Sequence, residues 1–162
     1  MNLGIASLAC RHNPIRGLAL DTAIRNHVKG AADNLTAPGE ITPAMISAGA
    51  SKYKAMCEHC YGGIDVSRAE WAKTMRPIPP ALAHAAQGWS IEEVHWLVQH
   101  GVKMSGMPAF GPTHDEATIW SIAAFVKAMP EISATQYAGY SAAQGSADAG
   151  HSHATGTPAH ED

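Results

Sequence analysis

Cys57 and Cys60 form a Cys-x-x-Cys pair in Cys57-Glu58-His59-Cys60-Tyr61-Gly62, and their type and spacing allow four kinds of chemistry. A dithiol–disulfide redox pair needs βαβ surroundings, which the flanking sequence does not offer. Half of a zinc site needs a second ligand pair; His95 and His100 are the nearest candidates, at a spacing poorly suited to shared ligation. A structural disulfide or two unreactive thiols is the plainest reading. The fourth is covalent attachment of a haem through both sulfurs, in which a histidine directly after the second cysteine ligates iron. Here that position holds Tyr61. Downstream, Gly106-Met107-Pro108-Ala109-Phe110-Gly111 sets a methionine between a glycine and a proline. Such flanks hold a loop in a fixed irregular path and can aim a thioether at a metal. Taken alone, a loop methionine is more often core filler. Combined with an upstream Cys-x-x-Cys it reads as the soft axial ligand of a haem iron, with Met104 and Met75 as weaker rivals.

The elements that must position these residues read as helices. Thr42-Pro43 is an N-cap followed by proline at the first helical position, and Met45, Gly49, Tyr53 and Met56 share one face. The pattern predicts a helix over about 43–58 that ends at the cysteines. Residues 61–89, rich in glycine and proline, read as a long functional loop with a helical turn near Arg68–Lys73. Ser90-Ile91-Glu92-Glu93 is a capping box that opens a helix striped by Ile91, Val94, Leu97 and Val98 and closed by Gly101. Thr113-His114-Asp115-Glu116 reads as a second box, opening a helix to Met129 that Pro130 stops. Ser133 to Tyr140 suggests a short final helix. Leu20, Ile24, Val28, Ala31 and Leu35 recur at helical spacing and predict a helix near 18–32. No alternation of strand type and no internal repeat is present, so the expected fold class is all-α.

Over residues 45–140 the sequence resembles the class I, mono-haem c-type cytochromes of bacteria. The resemblance rests on Tyr53-Lys54-Ala55-Met56 leading into Cys57-x-x-Cys60-x-Gly62, on Ile78-Pro79-Pro80-Ala81-Leu82, on the run from Glu93 through Gly106-Met107-Pro108-Ala109-Phe110-Gly111, and on a last helix through Trp120 and Phe125. It implies three to five helices with long loops wrapped around one haem c, covalent attachment at Cys57 and Cys60, and Met107 as the distal iron ligand. The proximal histidine of the family is replaced by Tyr61, a longer side chain whose phenolate favours ferric iron. Because the attachment machinery of that family reads the histidine as well as the cysteines, the replacement bears on haem loading too. Trp71, Trp89, Trp96 and Trp120 are expected in the core or haem wall, with Trp71 or Trp89 and Arg68 or Arg76 as donors to haem propionates. Lys52, Lys54, Lys73, Arg76 and Lys103 fall where the family edges its haem crevice.

The implied function is electron transfer to redox partners of a respiratory chain, by a monomer that is a carrier and not an enzyme. The alternatives are a haem-less or haem-deficient interaction module and a weakly peroxidase-like haem protein. The expected organisation is an N-terminal arm over 1–40, a cytochrome c-like domain over 41–141 and a disordered histidine-containing tail over 142–162.

Composition agrees with a folded body. Of 162 residues, 46% are hydrophobic and 15% charged, which excludes wholesale disorder. The formal charge of −3 arises in the tail, through Asp148, Glu161 and Asp162, and the rest of the chain is balanced. A broad basic face for nucleic acid is therefore excluded. No run approaches the ~18 apolar residues of a membrane span. No secretory leader is visible, and Ser7-Leu8-Ala9-Cys10 only faintly resembles a lipoprotein cleavage site. Since c-type haem attachment follows export in the resembled family, the expected location is the periplasm or the outer face of the inner membrane, with the arm following an absent leader or anchor.

Overall fold

The computed structural model describes residues 14–141, with side chains from Thr22 onward. The tail histidines and Cys10 lie outside the described residues. Seven α-helical segments follow one another: α1 (Pro14–Ala32), α2 (Pro43–Met56), α3 (Glu58–Tyr61), α4 (Leu82–Ala85), α5 (Ile91–His100), α6 (Glu116–Ala128) and α7 (Ala134–Gly139). Among the described residues there is no β-strand. Four of the helices exceed two turns; α3 and α4 are single turns that the sequence pattern does not announce, and α7 is the short final helix expected between Ser133 and Tyr140. The all-α class expected from the sequence is what the structure shows.

The Thr42 hydroxyl accepts from the Met45 amide at 3.2 Å and starts α2 as expected. The helix ends at the cysteines, as expected. Cys57 still donates to the Tyr53 carbonyl at 2.8 Å, but its φ of −108° departs from the helix, and a separate turn, α3, begins at Glu58. Cys57 thus sits at the joint between two helical segments, and Cys60 lies within the second. Gly62 closes that turn with φ 77°, a left-handed value glycine adopts without strain. The Ser90–Glu93 capping box of α5 is present with both of its hydrogen bonds. The second box is not. Asp115, two residues closer to the helix, accepts from the Thr118 amide at 2.7 Å and leaves Thr113 in the preceding loop. An aspartate ahead of Glu116 competes for the same role, and it wins because its carboxylate also faces the positive end of the helix dipole.

The core is the crossing of α2 over α6, with α5 packed on α6 and α1 packed on α5. Tyr53, Ile119, Ile122, Phe125 and Tyr137 are fully buried there, each contributing roughly 1.5–3 kcal/mol by burial. Tyr53 and Phe125 meet at 5.2 Å between ring centroids, and Phe125 stacks on Tyr137 at 6.0 Å. The Tyr53 hydroxyl donates to the Gly62 carbonyl at 2.6 Å, tying the core to the turn that follows the cysteines.

His95, a zinc-ligand candidate in the sequence, lies in the core. It is 0% exposed, stacked on Trp120 at 3.9 Å, and neither ring nitrogen has a hydrogen-bond partner. Burial pushes its pKa down, against an upward pull from Glu116 and with a further downward push from His100. In the unfolded chain the imidazole titrates near ~6.5. The folded state takes the proton only at lower pH, so its contribution is fully present above that value and is lost as pH falls through it. The slope reaches at most about 1.4 kcal/mol per pH unit. His95→Leu is expected to lose less stability than the parent between about pH 7 and about pH 5, read as urea midpoints. Equal losses in the two proteins would contradict this.

Candidate functional site

A cavity of about 380 Å³ lies between α3, the 75–89 segment, α5 and the loop that follows it. That volume falls within the roughly 300–1,000 Å³ of small-molecule and cofactor sites. Cys57, Cys60, Tyr61 and Met107 all line it, and none of the residues that line it is charged. The two thiols are free. Burial, and secondarily the neighbouring Cys60, pushes the Cys57 thiol up to about 12, so at neutral pH it is protonated and chemically quiet in the closed fold.

Met107 is held from the far side of the cavity. Gly101, with φ 68°, ends α5 and turns the chain back on itself. A Cβ there would sit 2.7 Å from the Pro108 carbonyl carbon and 2.8 Å from the Met107 oxygen, so glycine is what lets the loop close. The loop is then laced to the helix it leaves. Val102 donates to the Met107 carbonyl at 3.2 Å, Phe110 to Val98 at 3.1 Å and Gly111 to Gln99 at 3.0 Å. The Ser105 hydroxyl accepts from the Met107 amide at 3.2 Å. Met75 also lines the cavity, its methyl group against Gly106. Met104 does not; it is 98% exposed at φ 60°.

Tyr61 stands on the cavity wall at the end of α3. Burial raises its pKa, with Cys57 and Cys60 adding to the effect, so the side chain is a neutral phenol. No histidine lines the cavity. His59 is exposed and points into an open surface groove on the outer side of the cysteine pair, where Glu58 accepts a hydrogen bond from Tyr137. His100 is exposed, with Nδ1 at 3.0 Å from the Trp96 carbonyl oxygen, and His95 is buried between α5 and α6. The zinc reading therefore lacks its second ligand pair. Among the described residues no three His, Cys, Asp or Glu side chains cluster to hold a metal ion.

Residues 44–126, just over half of the chain, match the family described as Cytochrome C oxidase, cbb3-type, subunit III. The chain belongs to that family. It is a c-type cytochrome domain, and a c-type haem and an electron-carrying role go with that membership. No curated protein and no solved structure matches the chain. The donor set of the cavity fits haem c: two free thiols on one wall, a thioether on a constrained loop, and an apolar interior to receive a porphyrin.

Other expectations divide. Trp89 lines the cavity, whereas Trp71, expected in the core or the wall, is 57% exposed on a 3₁₀ turn over Glu70–Thr74. Lys73 pairs with Glu70 at 2.6 Å, and Lys54 lies over the Tyr137 ring and donates to the Tyr140 carbonyl at 2.6 Å. Arg68 donates to the Pro79 carbonyl, pinning the proline loop that lines the cavity. The sequence reading missed the part that α1 plays. Ile24 reaches the cavity wall, and Val28 is buried against the body. Their helical spacing was visible, but not the surface they would meet.

Proposed function

We propose that this chain is a mono-haem c-type electron carrier in which Cys57 and Cys60 hold the haem through thioether bonds, Met107 is the distal ligand, and Tyr61 occupies the proximal position. The observation that supports this most strongly is the convergence of these four side chains on one uncharged cavity. When bound, the haem supplies one-electron exchange at iron. The chain's own residues do the rest. The α2–α3 joint presents the thiols, the Gly101–Gly111 loop fixes the thioether, and Val94, Val98, Ile122 and Val126 keep the interior apolar. Ile24 and Ile78 line the cavity and are also exposed, so the rim reaches solvent where a partner can approach. The partners are redox proteins of a respiratory chain, and the working location is the extracytoplasmic side. No described helix is long and apolar enough to cross a membrane.

Met107→Ala in the haem-loaded protein is expected to abolish the sulfur-to-iron charge-transfer absorbance, while Met104→Ala leaves it nearly intact. The exposed position of Met104 supports that order. Loss of the band in Met104→Ala and its survival in Met107→Ala would overturn the distal assignment.

The lack of a histidine on the wall favours one second reading, a haem-deficient cytochrome fold that serves as an interaction module. An unstained protein with native helicity is its signature.

A further inference from the structure

The uncharged wall raises a question that the iron ligands do not answer. Haem c keeps two propionate carboxylates, and neither a thioether nor an axial bond compensates their charge. An unpaired buried carboxylate is strongly unfavourable, so each propionate must leave the cavity where a cation or a set of donors meets it. Several cations touch the segments that form the wall. Lys127 directs its ammonium to the carbonyls of Ala86 and Trp89, at 3.2 and 2.6 Å. Arg68 bonds the Pro79 carbonyl, and Arg76 bonds the carbonyls of Thr74 and Met75. Arg25 is different. Its guanidinium lies over the Trp89 ring, 4.6 Å from the centroid, and makes a single hydrogen bond of 3.4 Å, to the Gly88 carbonyl. Four of its five N–H donors remain for a ligand. Two residues beside Arg25 belong to the wall: Ile24 precedes it in the chain, and Trp89 lies beneath its guanidinium.

We propose that Arg25 binds a haem propionate, with Trp89 as its platform, so that α1 is part of the haem site although it precedes the family match. The planar fork of a guanidinium suits a carboxylate in a bidentate pair, and stacking on Trp89 holds the fork at the cavity's edge. Stacking also limits the side-chain entropy lost when the pair forms. The same pair makes the seating of α1 depend on the haem. This inference rests on the haem reading above.

The test uses the full chain expressed with the c-type attachment machinery, as parent, Arg25→Gln, Arg25→Lys and Lys29→Gln. Haem staining and far-UV circular dichroism establish loading and folding. The reading is the reduction potential as a function of pH, in which an ionising propionate appears as an inflection. A cation beside a carboxylate favours its ionised form. Arg25→Gln is therefore expected to weaken that preference about tenfold and move the inflection upward by about one pH unit. Arg25→Lys should lie between it and the parent, and Lys29→Gln, exposed one turn further along α1, should match the parent. Amide exchange across 22–32 should also quicken more in haem-loaded Arg25→Gln than in haem-free Cys57→Ser/Cys60→Ser carrying the same change. Stained Arg25→Gln protein with the parent's pH profile overturns this assignment and leaves the haem reading standing. A folded parent that takes no haem overturns both.

Discussion

Gly49→Ala is expected to destabilise the folded chain by more than about 3 kcal/mol, a large share of the 5–15 kcal/mol that holds an ordinary domain together. Gly49 lies in α2 where that helix crosses α6. A Cβ added there would run into the Ser121 carbonyl and lie 2.9 Å from the Phe125 Cβ. Both obstacles belong to the body of the opposing helix, not to the free end of a side chain. The helices must separate, and the contact between Tyr53 and Phe125 opens with them. Gly30→Ala provides the contrast. It lies inside α1 with nothing within 4 Å of the position its Cβ would take. There the change is expected to stabilise by about 0.5–1 kcal/mol through helix propensity alone. Denaturant midpoints at constant slope measure both. A loss under about 0.5 kcal/mol for Gly49→Ala would mean that the crossing is not as close as described.

Tyr61→His is expected to raise both haem loading and reduction potential. The change alters one position on a wall that already carries Cys57, Cys60 and Met107, and it completes the Cys-x-x-Cys-His motif. An imidazole supports ferrous and ferric iron more evenly than a phenolate does. The potential should therefore rise by more than the ~59 mV that corresponds to a tenfold change in a one-electron equilibrium. Haem stain, spin state by absorbance, and potential are compared between parent and variant expressed together with the attachment machinery. Equal loading and an unchanged low-spin spectrum would mean that a residue other than Tyr61 is the proximal ligand.

Much of this architecture is legible in the sequence because its signals are local. Thr42-Pro43, Ser90 with Glu93, and Ser133 with Gln136 each satisfy amides within one helical turn, so residue type and spacing suffice to find them. Gly101 is legible for a similar reason, since it answers the closeness of the Met107–Ala109 backbone within the same loop. What is not legible depends on distant partners. Nothing near Arg25 indicates that its guanidinium will lie over Trp89. Nothing in Glu93-Val94-His95-Trp96 shows that His95 turns toward Trp120 with both nitrogens unpaired, because that orientation is set by the packing of α5 on α6. Trp71 shows the opposite error. A large aromatic residue is expected inside, yet the 3₁₀ turn over Glu70–Thr74 buries Ala72 and leaves the indole outside. For the cavity itself, the cysteines and Met107 follow from motif, whereas the contribution of Met75 requires the fold.

The central claim is that Cys57 and Cys60 carry haem covalently, and haem staining of a denaturing gel tests it most directly. The full chain and its Cys57→Ser/Cys60→Ser variant are expressed with the c-type attachment machinery and separated in parallel. A stained band at the chain's own 17.0 kDa in the parent, absent from the variant, is the predicted result. An unstained parent of native helicity, or equal stain in both lanes, would contradict it.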